Sequence, residues 1–178
     1  MPALPLMPAV GERRVRLGMV MLALAGPLAL TACQQGKARP LPPGPPTVTS
    51  GSTLQVTAPF VIPRGAAGVY FQDTELRAAP DLKRELPYCY FQLGPAAAAA
   101  RTIGPQAFTV TGVEYDEQAE GAAGAFGSVT YLNLQSGPQP GPQRLTCLLP
   151  GDAQSARFVT PAEISGALGG YFKLSVAP

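Results

Sequence analysis

Short runs along this chain alternate apolar and polar side chains with period two. In "YCYFQL" Cys89, Phe91 and Leu93 fall on one face, and Tyr88, Tyr90 and Gln92 on the other. The runs "TLQVT", "FVIP", "VYFQ", "QAFTVTGVEY", "SVTYLNLQ", "RLTCLL" and "YFKLSV" read the same way, each bounded by Gly or Pro. In "QAFTVTGVEY", Phe108 and Val110 share a face. Gly112 marks the place where a bulge would bring Val113 and Tyr115 onto it. The segment "DTELRAAPDLKRELP" is polar and interrupted by Pro80, so it predicts a surface excursion with one helical turn near Asp81 to Leu86. "GPAAAAARTIGP" predicts a loop, because Gly-Pro pairs punctuate both ends of its alanines.

Helical spacing occurs once in this part of the chain. In "TPAEISGALGG" Thr160 is placed as N-cap, Pro161 at the first helical position and Glu163 at the third, a capping box. Ile164 and Leu168 stand i, i+4 on one face, and Gly169 stops the helix. The sum is about seven or eight short strands and one short C-terminal helix before the last strand. That pattern predicts a mainly β fold, an antiparallel β-sandwich or small open barrel, over residues 53–178.

The chain before it is different. Residues 33–52 include "ARPLPPGPPTVTSGS", dense in Pro and Gly and without hydrophobic periodicity. They read as a tether of extended polyproline II character rather than a folded element. Residues 1–32 hold Arg13, Arg14 and Arg16, then an uncharged apolar run from Leu17 to Leu30. Its 14 residues are short of the roughly 20 needed to span a bilayer, and fit the apolar region of an export signal.

That run ends in Leu30-Thr31-Ala32-Cys33, which resembles the lipobox of bacterial lipoproteins. The resemblance implies that residues 1–32 are a signal peptide cut before Cys33. It also implies that the Cys33 thiol carries a diacylglycerol and that the new amino group is acylated, by palmitate or a similar chain. In such proteins an Asp after the cysteine retains the protein at the inner membrane. Gln34 stands there, so the resemblance implies an outer-membrane anchor; it does not fix which side the domain faces, and the periplasmic face is the working expectation.

Charge and composition then narrow the partners. Of thirteen basic side chains three precede Cys33, and of eleven acidic ones only Glu12 does, which leaves ten of each beyond it. A neutral domain with dispersed charge argues against nucleic acid and against polybasic membrane contact. The chain has no histidine and no tryptophan. Without histidine the Ser-His and Cys-His systems are excluded, together with most zinc sites. No G-x-S-x-G, S-x-x-K or C-x-x-C occurs.

The acidic run "EYDEQAE" lacks the spacing of a calcium loop and reads as a solvated turn. "GAAGAFG" lacks the strand-then-helix context of a phosphate cradle and reads as a loop. No catalytic, cofactor-binding or metal-ligating residue is assigned, and the chain reads as a protein that is not an enzyme. Of three cysteines, Cys89 and Cys147 remain if Cys33 is lipidated. In an oxidising periplasm they pair, with Cα atoms expected about 4.4–6.8 Å apart. Tyr88 and Tyr90, opposite Cys89 in face, are candidates to line a ligand or partner surface.

The mature part also resembles a family of small proteobacterial envelope lipoproteins that has no assigned activity. The likeness rests on "VIPRGAAGVYFQ", "YCYFQL", "AFTVTGV", "RLTCLL" and "TPAEISGALGGYF", and covers most of Thr53 to Phe172. In that family an aromatic-Gln pair is matched here by Phe71-Gln72. Two cysteine strands are matched by Cys89-x-Phe91-Gln92 and Leu145-Thr146-Cys147, and a proline-capped helix by Pro161. An acidic residue is common there where this chain has Gln92, which speaks against a shared charged site. The resemblance implies an address and an architecture rather than a reaction. The functional expectation is a lipid-anchored structural or interaction module with an envelope protein partner. The alternative is a small-ligand binding or transport-accessory lipoprotein.

Overall fold

The computed structural model describes residues 47–137, 143–152 and 156–178, without the side chains of Gln118 and Ala123. The strands are β1 (Thr53–Val56), β2 (Phe60–Ile62), β3 (Gly68–Gln72), β4 (Glu75–Arg77), β5 (Tyr88–Leu93), β6 (Arg101–Ile103), β7 (Ala107–Glu120), β8 (Phe126–Gln135), β9 (Gln143–Pro150) and β10 (Phe172–Ser175). Helix α1 (Pro161–Leu168) precedes β10. Eight strands form one antiparallel sheet in the order β10-β1-β7-β8-β9-β5-β3-β4, and β2 pairs with β6 separately. The sheet is an open half-barrel. The mainly β class and the single late helix are as the periodicity predicts.

The curl of the sheet is visible in its aromatic core. Phe172, on the edge strand β10, has its ring centroid 5.3 Å from that of Phe71 on β3 and 5.3 Å from that of Phe91 on β5. Phe60 of the β2–β6 pair packs edge-on against Phe71 and Phe91 from the concave side. Helix α1 lies against β3, β5 and β10. Ile164 and Leu168 are fully buried in this core, a contribution of about 1.5–3 kcal/mol each. Val48 is buried in it as well, so packing begins before the expected domain start at Thr53.

The helix forms where its caps place it. The Thr160 hydroxyl accepts from the Glu163 amide at 3.3 Å, and the Glu163 carboxylate accepts from the Thr160 amide at 2.9 Å. Arg157 grips the same carboxylate with both terminal nitrogens, at 2.6 and 2.8 Å. These bonds hold the Glu163 carboxyl down to about 2, the Arg157 guanidinium being the largest cause and burial opposing it. A depressed carboxylate stabilises the fold above its unfolded value and loses that contribution as pH falls toward 2. Glu163→Gln is therefore expected to cost about 1–2 kcal/mol at neutral pH. It should also flatten the acid limb of the stability curve between about pH 4.5 and 2. Parallel pH–stability curves for variant and parent would contradict this.

Three expectations need correction. The polar excursion after β3 carries a strand, β4, joined to β3 by a two-residue turn at Asp73 and Thr74, both at positive φ (54° and 67°). Its single helical turn is a 3₁₀ turn at Ala79–Asp81, not one over Asp81 to Leu86. The "GPAAAAARTIGP" segment is not all loop, since Arg101–Ile103 pairs with β2. The acidic "EYDEQAE" is not a turn: β7 continues through it to Glu120. The expected bulge is present, as a register shift between Val110 and Gly112, and Val113 packs against the core beyond it.

Candidate interaction face

Alternation splits the sheet into a concave face, filled by the aromatic core, and a convex face. On the convex face the register aligns one transverse row across six strands. Arg77 stands opposite Tyr70, Tyr70 opposite Tyr90, Tyr90 opposite Thr146, Thr146 opposite Tyr131, and Tyr131 opposite Glu114. The Tyr70 and Tyr90 rings stand against each other, centroids 4.5 Å apart and tilted by 35°. Thr146 is small and leaves a trough above β9, with Tyr90 on one bank and Tyr131 on the other.

One end of the trough is closed. Leu82, Tyr88, Ala125, Val129 and Leu148 form a second, smaller core on this face, under the turns at residues 79–82 and 121–125. The Tyr88 hydroxyl accepts from the Ala122 amide at 2.6 Å. A Cβ on Gly121 would lie 2.1 Å from that hydroxyl, so only glycine admits the Tyr88 ring there. Gly121, the first glycine of "GAAGAFG", thus serves close packing. A crevice of about 130 Å³ remains where Glu120 and Gly121 meet the tyrosines. At the other end the Arg144 guanidinium lies over the Tyr131 ring, 4.1 Å from its centroid, and pairs with Glu114 at 2.8 Å. Asn133 donates to the other Glu114 oxygen at 2.7 Å.

Desolvation by burial pushes the hydroxyls of Tyr70, Tyr88 and Tyr90 above the ordinary tyrosine value, and for Tyr88 the Ala122 bond opposes it. All three therefore stay protonated and able to donate near neutral pH. Among the described residues no group of three or more His, Cys, Asp or Glu converges to hold a metal ion.

Cys89 and Cys147 lie directly opposite each other on β5 and β9, with the sulfurs at bonding distance, 2.06 Å. They face the concave core, between neighbouring strands rather than across it. Their Cα atoms are 4.0 Å apart, closer than the 4.4–6.8 Å expected, near the short spacing of a non-hydrogen-bonded antiparallel pair. Cys33, with its lipobox, lies outside the described residues. Tyr88 and Tyr90 share the convex face as their alternation predicts, but only Tyr90 lines the trough openly, while Tyr88 belongs to the small core. Sequence reasoning missed Tyr70, Tyr131, Arg144 and Glu114 as their neighbours. Each stands on the polar face of its own strand, and only the strand order brings them together.

The Phe71-Gln72 pair has a structural account. Phe71 enters the concave core, and Gln72 points the other way. Its amide donates to the carbonyls of Lys83 and Leu86, at 2.8 and 3.1 Å, and accepts from the Lys83 amide at 2.8 Å.

The fold and the face define a class: a mainly β half-barrel with an aromatic convex surface flanked by Arg77, Arg144 and Glu114. No family model, no curated protein and no solved structure matches the chain.

Proposed function

We propose that this chain is a lipid-anchored protein of the bacterial envelope, held at the outer membrane through Cys33, whose domain acts as an interaction module for another envelope protein. The observation that carries the reading is the convex row Tyr70, Tyr90 and Tyr131 with Arg144: half-buried aromatic side chains in mutual contact on a sheet face. Tyrosine and arginine are enriched among the side chains that anchor protein interfaces: tyrosine offers large contact area at small entropic cost, and arginine a planar fork of donors. The signal-like start, the lipobox and the proline-rich tether support the address.

Small-ligand binding is the second reading. A crevice of about 450 Å³ opens beside Leu93, Arg101 and Gln106, with both polar and apolar walls. There the Arg101 guanidinium is already bonded to the Leu93 carbonyl.

Two measurements test the proposal. Cys33→Ser is expected to leave the precursor uncleaved or release the protein in soluble form, because two or three acyl chains anchor stably where one cannot, and the variant has no thiol to receive them. Normal processing with full membrane retention would sink the anchor. A photoreactive residue at Tyr90 or Tyr131 is expected to give a discrete adduct in intact envelopes, and one at Lys173 none. Equal labelling from Lys173, on the distant edge strand, would remove the tyrosine face from the reading.

A further inference from the structure

We propose that the crevice beside β6 captures the C-terminal carboxylate of an extended peptide from another protein, which lies antiparallel to β6 as an added strand. The inference rests on the reading of the domain as a module for another protein, and it uses no residue of the tyrosine row.

Charge comes first. Arg77, Arg101, Arg144 and Arg157 are the partly buried arginines among the described residues. Three of them meet a carboxylate: Arg77 meets Glu75 at 2.5 Å, Arg144 meets Glu114 at 2.8 Å and Arg157 meets Glu163 at 2.6 Å. Arg101 meets none among the described residues. Its Nη2 donates to the Leu93 carbonyl, and Nη1 has no acceptor among those residues. The crevice at its side, about 450 Å³, is lined by residues 101–106 and Leu93, and no Asp or Glu stands among them. The guanidinium charge is therefore answered only by a carbonyl dipole. Its two terminal nitrogens form a planar fork that suits a carboxylate. A single cation matches one negative charge, whereas a phosphate dianion would stay half neutralised.

The backbone beside Arg101 supplies the next part of the site. Strand β6 pairs with β2 alone. No other backbone bond among the described residues reaches residues 101–105. Successive strand residues turn their N–H and C=O groups to opposite sides, so β6 keeps backbone groups on the side away from β2. Such an edge accepts a further strand. A Cβ on Gly104 would meet no heavy atom within 4 Å, so the approach over the turn is open. Leu93 and Ile103, both buried, give the crevice an apolar wall beside the side chains of Thr102 and Gln106.

Direction follows from the place of Arg101 as the first residue of β6. An antiparallel strand ends beside that residue and brings its carboxylate to the guanidinium. A parallel strand would bring its terminal ammonium there, like charge against like. An internal segment would bring no terminal charge. The chain's own C-terminus is held elsewhere: the Ala177 carbonyl accepts from the Thr49 hydroxyl, and its amide donates to the Ser52 hydroxyl. The tether segment 36–47 carries five prolines, which lack the N–H a ladder needs.

The test uses the mature chain with Cys33→Ser, labelled for amide NMR. The probe is the peptide acetyl-Thr-Val-Thr-Val with a free C-terminal carboxylate. Saturable shifts are expected at Leu93, Arg101, Thr102 and Ile103. Binding should weaken at least about tenfold when the peptide ends in an amide instead, and for Arg101→Gln in the domain. It should also weaken with rising salt. The same peptide N-methylated at every amide should lose binding, because it cannot pair with β6. The peptide comparisons use the unaltered domain, so they decide the matter even where Arg101→Gln disturbs the fold. No saturable shift, equal binding of the amidated peptide, or shifts gathered at Tyr70 and Tyr90 would overturn the proposal. Acetate binding as tightly as the peptide would overturn it as well, and would favour the small-ligand reading of this crevice. If Tyr90 still crosslinks in envelopes under any of those outcomes, the interaction module stands and only its peptide site at β6 falls.

Discussion

Reducing the Cys89–Cys147 pair is expected to lower the stability of the domain by up to about 4 kcal/mol. The two cysteines are 58 residues apart in sequence, and in the chain-entropy model a closed loop of that length restricts the unfolded chain by about this amount. Against a net stability of roughly 5–15 kcal/mol, that is a large share. The position amplifies it. The bridge joins β5 to β9, and β3 and β4 attach to the rest of the sheet through β5. Both cysteines are buried, at 1 % and 0 % exposure, so reductant reaches the sulfurs only when this seam opens. Denaturant unfolding with and without reductant should therefore give well-separated midpoints. Protein purified without reductant should show neither Cys89 nor Cys147 as a free thiol after denaturation. Coincident midpoints, or two titratable thiols, would leave the cysteines as plain core residues.

Gln72→Leu is expected to cost about 2–4 kcal/mol, although the side chains are similar in size. Gln72 is 1 % exposed and makes three bonds to the backbone of the loop that returns to β5, two to Lys83 and one to Leu86. Leucine makes none of them. It leaves an amide and two carbonyls of a part-buried loop without their partner, and each such loss costs on the order of 1–3 kcal/mol before relaxation. The loop carries Lys83 and Arg84, so limited trypsinolysis reads its release directly. The variant should be cut there much faster than the parent under native conditions. An unchanged midpoint together with an unchanged cleavage rate would show that the clamp is dispensable.

The legible parts of the fold were those whose causes are local. Thr160, Pro161 and Glu163 satisfy the first amides of a helix within four residues, so the helix was readable to its caps. Period two assigned Cys89, Phe91 and Leu93 to the core and Tyr90 to the other face. Gly112 signalled its bulge because a strand interior seldom carries glycine without one. Strands β4 and β6 were not legible. Each is three residues long, and each exists because a partner strand offers its backbone, β3 in one case and the distant β2 in the other. The acidic end of β7 misled for the same reason. Glu114 and Asp116 have poor strand propensity, and their pairing with β8 overrides it.

What the sequence determines by itself is the period of each segment, the caps of its helix, the composition of its tether and the motif around Cys33. These follow from neighbours a few residues apart, where propensity, side-chain alternation and capping act. Tertiary structure alone decides which strands lie side by side. It places Cys89 opposite Cys147, lines up Tyr70, Tyr90, Thr146, Tyr131 and Glu114 in one row, and turns Gln72 from a polar strand residue into a clamp. Strand order and register arise from burying one continuous aromatic core drawn from Val48 to Phe172. No short window of sequence carries that sum, and the convex tyrosine face is its by-product.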